Sequence, residues 1–140
     1  MHWISREVKE LISTHKTSDP FELADNMGYI LIPYPFQRIR GMLLVDEGTT
    51  YIGYSTNLAK RLQRIVVYHE IAHRLLHTGQ NYFMLLKNTI FYPGKFENQA
   101  NRFVAELILS ECHPQPGESI YEFSVRYKVP VELVQIIVNK

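Results

Sequence analysis

The sequence predicts an α+β fold: a small antiparallel sheet packed on one long helix and a second strong helix, followed by a helical C-terminus. Three observations predict it. The β-rich runs "YILIPY", "GMLLV" and "YIGY" form a single block. The stretches on either side of that block carry apolar residues at helical spacing. And 140 residues, without an internal repeat, low-complexity tract or linker, suit one domain over residues 1–140.

The first element is an amphipathic helix, because Ile4, Val8, Leu11 and Ile12 recur along one face. In "TSDPFELADNMG", Asp19 can cap a second helix, Pro20 suits its first position and Glu22 completes a capping box. Gly28 supplies a left-handed stop. "YILIPY" is ended by Pro33 and Pro35, and the turn from Asp46 to Thr50 should pair "GMLLV" with "YIGY" antiparallel. A long helix is expected from a cap at Asn57 to His77, closed by Gly79, with Leu62, Ile65, His69, Ala72, His73 and Leu76 facing inward. "QNYFMLLKNTIFYPGK" has no clear period and is expected to hold a strand and a loop over the cleft. "FENQANRFVAELIL" turns Ala100, Phe103, Val104, Leu107 and Ile108 to a core, while Glu106 and Glu111 read as solvated. After the break at "HPQPG" come two short helices, around Ser119–Tyr127 and Val131–Val138.

Composition excludes several functions. Hydrophobic residues make up 46%, an ordinary share for a globular chain. Fifteen basic side chains face fourteen acidic ones, so no wholesale electrostatic footprint for nucleic acid or an anionic membrane exists. The single cysteine, Cys112, rules out an intramolecular disulfide and fits a reducing compartment. "MHWISREVKELIST" lacks the apolar core of a signal peptide, and no run reaches the length of a membrane span. A cytoplasmic location is expected.

The chemistry sits in "RIVVYHEIAHRLLHTG". His69-Glu70-Ile71-Ala72-His73 is an H-E-x-x-H pattern on the expected long helix. Residues four apart share a face, so two imidazoles can reach one zinc ion from rigid backbone. Glu70, offset around the helix, can touch a water on the metal rather than the metal. Zinc lowers the pKa of such a water to about 7. Glu70 would then take its proton and later pass it to the leaving amine of a peptide bond. The competing reading, chance placement on an amphipathic helix, leaves two unpartnered histidines on an apolar face, which is costly.

Catalytic zinc needs a third protein ligand and one open position. His77 follows at the same spacing, but a straight helix carries it about 12 Å from His69, too far for one ion. It is expected to pack or to support a ligand. Glu97, on the other strong helix, is the better third ligand, with Asn101 one turn on to orient an imidazole. Alone, Glu97 would read as a first-turn glutamate favoured by the helix dipole.

The segments "HEIAHRLLH" and "ENQANRFVAELIL" resemble the two motifs of the ImmA/IrrE family of zinc metallopeptidases. The resemblance implies a zincin-like fold, zinc as cofactor, His69, His73 and Glu97 as ligands and Glu70 as catalytic base. It also implies a protein substrate, a helix-turn-helix repressor whose cleavage derepresses genes. The chain departs from the family's usual form at Val104, where alanine is common, and at "LILSECHP", where Met-Pro is usual. Neither departure touches a proposed ligand.

Two other readings stay open. A zinc-bearing protein could sequester a repressor without cutting it. Or "SIYEFSVRYKVPVELVQIIVNK" could be a helix-turn-helix that binds DNA directly, although "VELVQIIVNK" offers few donors to base edges. "GMLLV" or "YIGY" could present an edge on which a substrate lies extended.

Overall fold

The computed structural model describes residues 2–77, 82–85 and 95–138. It has a mixed α+β fold. Two helices, α1 (His2–His15) and α2 (Pro20–Asn26), precede three strands, β1 (Ile30–Tyr34), β2 (Ile39–Asp46) and β3 (Thr49–Ser55). The long helix α3 (Lys60–Leu76), strand β4 (Tyr82–Leu85), helix α4 (Lys95–Glu111) and the short helices α5 (Ile120–Tyr127) and α6 (Val131–Val138) follow.

Local chemistry explains most boundaries. Asp19 caps α2 by accepting the Glu22 N–H at 2.9 Å, and Gly28 takes φ +77 just past the helix. The full reciprocal capping box forms at α5, between Ser119 and Glu122. Glu47 and Gly48 both have positive φ, the signature of the two-residue turn that joins twisted strands, so the hairpin is tighter than the span from Asp46 to Thr50. Asn57 does not cap α3. The N-cap is Ala59, which makes no side-chain bond, while the Asn57 amide donates to the Phe36 carbonyl at 3.1 Å. Gly79 and most of the 80–95 stretch lie outside the described residues.

The sheet is mixed rather than purely antiparallel. Its order is β1-β3-β2-β4, with β1 parallel to β3 and the other pairs antiparallel. The hairpin inserts β3 between β1 and β2, which forces β1 alongside in the parallel sense. Pro33 lies within β1 and is tolerated because β1 is an edge. It follows that neither "GMLLV" nor "YIGY" offers a free edge; among the described residues, the edges are β1 and β4.

Helix α3 packs on the sheet through β2 and β3 and on α4 and α2. Leu43 and Ile52, register partners, are fully buried with Ile65, Val66 and Ile71. Ala100, Phe103, Val104, Leu107 and Ile108 of α4 are buried as the spacing predicts, with α1 and α6 covering other faces of that helix. Leu133 and Val134 of α6 are buried, and Arg102 donates to the Ile136 carbonyl at 3.1 Å. Among the described residues, no helix is long and apolar enough to cross a membrane.

Candidate metal centre

The inner face of α3 carries its histidines into the contact with α4. Ile65, Ala72, His69 and His73 are all buried there. Glu97 enters from the first turn of α4 and is 9% exposed. The three side chains converge: His69 Nε2 lies 3.1 Å from Glu97 Oε2, His73 Nε2 2.9 Å from Glu97 Oε1, and the two Nε2 atoms 3.0 Å from each other. Their donor atoms all fall within 4.8 Å.

This arrangement fits a small divalent cation. Two nitrogens bound to one tetrahedral ion at about 2.0–2.1 Å stand about 3.3 Å apart, close to the separation observed. Hydrogen bonds to Glu97 alone would need a hydrogen on both Nε2 atoms, which then oppose each other across 3.0 Å. A cation in their place removes that conflict. Two imidazoles and a carboxylate also form the donor set of a catalytic zinc.

The electrostatics agree. Burial lowers the pKa of His69, keeping the imidazole neutral and able to donate its lone pair. Burial alone would raise Glu97, but the imidazoles of His69 and His73 against its two oxygens outweigh it and favour the carboxylate, well below the usual range. Glu70 is the reverse case. Burial first, and the nearby Glu97 charge second, push its pKa well above the ordinary value. Both Glu70 carboxylate oxygens are buried with no hydrogen-bond partner among the described residues. A buried carboxyl without a partner is costly, and such groups mark working sites.

His77 stands at the C-cap of α3 rather than within it, and its Nδ1 is 3.0 Å from His73 Nδ1. It thus meets His73 on the ring nitrogen opposite the one that faces Glu97, and it lies outside the group of three converging side chains. Asn101 is buried at 3% exposure, but its Oδ1 has no hydrogen-bond partner among the described residues, so no described bond makes it an orienting group. Glu106 and Glu111, expected to be solvated, are partly buried and paired. Glu106 accepts from Ser5 and Arg102; Glu111 accepts from Arg64 and Tyr68. Two residues escaped sequence reasoning. Gln99 accepts from or faces His77 Nε2 at 2.9 Å, and Gly41 lies under Glu70. A polar residue two places after Glu97 carries no signal of its own, and a strand glycine only hints at close approach.

A family model described as the IrrE N-terminal-like domain of the M78 peptidases matches residues 24–138. The chain belongs to this family. The resemblance drawn from the two motifs thus holds at family level, and the matched span contains His69, Glu70, His73 and Glu97. Uncharacterized immunity region protein 2 of Bacillus phage phi105 is 30% identical over 138 residues, covering 95% of this chain and 87% of that protein. Metallopeptidase ImmA of Bacillus subtilis strain 168 is 29% identical over 108 residues, covering 77% of this chain but only 64% of its own length. No solved structure matches the chain at a significant level.

Proposed function

We propose that this chain, acting as a single zincin-like domain in the cytoplasm, is a zinc-dependent endopeptidase that cleaves a helix-turn-helix repressor and so derepresses genes. One observation carries the reading: His69, His73 and Glu97 converge within 4.8 Å, while the carboxyl of Glu70, buried beside them, has no hydrogen-bond partner among the described residues. Family membership and the name of the Bacillus subtilis relative support it.

In this reading His69, His73 and Glu97 hold the metal and Glu70 is the base. A bound zinc ion supplies Lewis acidity, polarising the scissile carbonyl and acidifying water. Glu70 takes a proton from the attacking water and delivers it to the departing amine. Its dry surroundings leave its carboxylate unsolvated by protein donors and hence strongly basic. The substrate edge moves to β4. Gly41, which underlies Glu70, pairs with Met84, so this edge strand runs beside the base and can take an extended peptide by backbone hydrogen bonds.

Direct DNA binding is disfavoured by α6, whose Leu133 and Val134 are buried inside the fold rather than offered to a groove. The test is co-expression of the chain with the helix-turn-helix repressors of its own source genome. Wild-type protein should shorten one repressor, and Glu70→Gln should leave it whole while retaining zinc. Derepression by Glu70→Gln with the repressor intact would instead identify a sequestering protein. An intact repressor with no derepression under wild-type protein would remove repressors from the substrate class.

A further inference from the structure

We propose that His77 and Gln99 form a directional hydrogen-bond relay that keeps the hydrogen of His73 on Nδ1, so that the Nε2 lone pair can bind the metal. The proposal rests on the metal-site reading above. His73 presents Nε2 to Glu97 and to His69, at 2.9 and 3.0 Å. Its Nδ1 meets His77 Nδ1 at 3.0 Å, and His77 Nε2 in turn lies 2.9 Å from Gln99 Oε1.

The directions follow from valence. A neutral imidazole carries one N–H and one lone pair. For His73 to ligate through Nε2, its hydrogen sits on Nδ1 and donates to His77 Nδ1. His77 then carries its own hydrogen on Nε2, which donates to Gln99 Oε1. With Oε1 facing His77, Gln99 accepts, and that orientation sets the sense of the whole chain. The reverse sense needs the amide nitrogen of Gln99 turned inward and puts a hydrogen on His73 Nε2, where it blocks the metal.

The backbone is shaped for this contact. His77 follows the last helical residue and leaves helical geometry at φ −129, ψ 68. Its ring still meets that of His73, four residues back, with centroids 5.1 Å apart, much as His73 meets His69 at 4.7 Å within the helix. The relay also joins the end of α3 to the start of α4, the same two elements that supply the ligands. His77 and Gln99 are positioning residues; neither reaches the reacting atoms. Outer partners of this kind typically cost about 10–100-fold in metal affinity when removed.

The test uses the full chain, titrated with zinc against a chromophoric chelator, together with long-range proton–nitrogen spectra of the zinc-loaded protein. Gln99→Leu should weaken zinc about tenfold and His77→Phe about 10–100-fold, while Gln99→Glu, which keeps an acceptor, should hold or tighten it. Gln99 is half-buried, so its two replacements should leave the fold intact by circular dichroism; His77 is buried, and His77→Phe counts only if its spectrum matches that of wild type. The spectra should place the His77 hydrogen on Nε2. A hydrogen on His77 Nδ1 overturns the relay, as does zinc affinity within about twofold of wild type in both Gln99→Leu and His77→Phe. Wild-type protein that takes up no zinc would remove the metal-site reading itself, and the relay with it. Tight wild-type binding with indifferent variants removes the relay alone.

Discussion

Gly41 of β2 lies so close beneath Glu70 of α3 that a Cβ added there would stand 3.7 Å from Glu70 Cγ and 2.5 Å from Val66 Cγ1. Val66 is fully buried and its branched side chain has little rotamer freedom in a helix, so it cannot swing aside. The glycine lets the sheet carry the helix at close range and sets the height of the base. Gly41→Ala should therefore lift α3, costing about 1–3 kcal/mol of stability. Peptide hydrolysis should fall further than stability explains, on the order of a hundredfold, because Glu70 is displaced. Thermal unfolding and a turnover assay on the same sample check it; a stable variant with full turnover would mean that the close contact has no part in placing Glu70.

Burial, and then the Glu97 charge, raises the Glu70 pKa well above its ordinary value. In the metal-free protein the folded state therefore holds a proton that the unfolded chain releases above its ordinary value near 4.5. Stability from this group is fully present below that value and is lost as pH rises through the folded pKa. Gln cannot titrate. The melting temperature of chelator-treated Glu70→Gln, relative to wild type, should rise as the pH climbs above about 4.5. A difference flat across that range would show that Glu70 ionises in the fold as easily as in water.

Metal binding should register as stability. At a zinc concentration about 1,000 times the dissociation constant, ligation adds about 4 kcal/mol, or on the order of 10 °C in melting temperature for a chain of this size. Chelation should reverse it, and His73→Ala or Glu97→Gln should abolish the response. Acidification should weaken it as well, through the histidines, since Glu97 is held ionised far below neutral pH. A scan with and without zinc suffices, and identical curves for wild type would remove the proposed ligation.

Much of this was legible in the sequence because it depends on local periodicity. The fourfold spacing of His69 and His73 places both on one helical face, and Glu97 could be chosen only because a second strong helix carried it. What stayed hidden depends on chain crossings. The parallel pairing of β1 with β3 follows from where the hairpin inserts, which no alternation of residues encodes. Gln99 reads as an ordinary surface amide until the start of α4 is packed against the end of α3, where it meets His77. Glu111 reads as solvated until α4 is packed beside Tyr68 and Arg64.

That last cluster yields a control for all of the above. The Tyr68 hydroxyl meets the Glu111 carboxylate and the Ser18 carbonyl, and Arg64 pairs with Glu111 at 3.0 Å and with Asp19. One knot thus ties the cap of α2 and the end of α4 to the middle of α3, adjacent in sequence to His69 but facing away from Glu97. Burial, then the bond to Glu111, raises the Tyr68 pKa, so the phenol stays a donor at any working pH. Tyr68→Phe strips the donor and leaves Glu111 with Arg64 alone. The expected loss is about 1–2 kcal/mol, the usual cost when a hydrogen bond to a charged group is removed. Zinc affinity should not change, because His69 is held by its own turn of helix and by Glu97. Denaturant unfolding and chelator competition on one preparation separate the two effects. A large fall in zinc affinity in Tyr68→Phe would mean that this knot, and not the packing of α3 on the sheet, sets the position of His69.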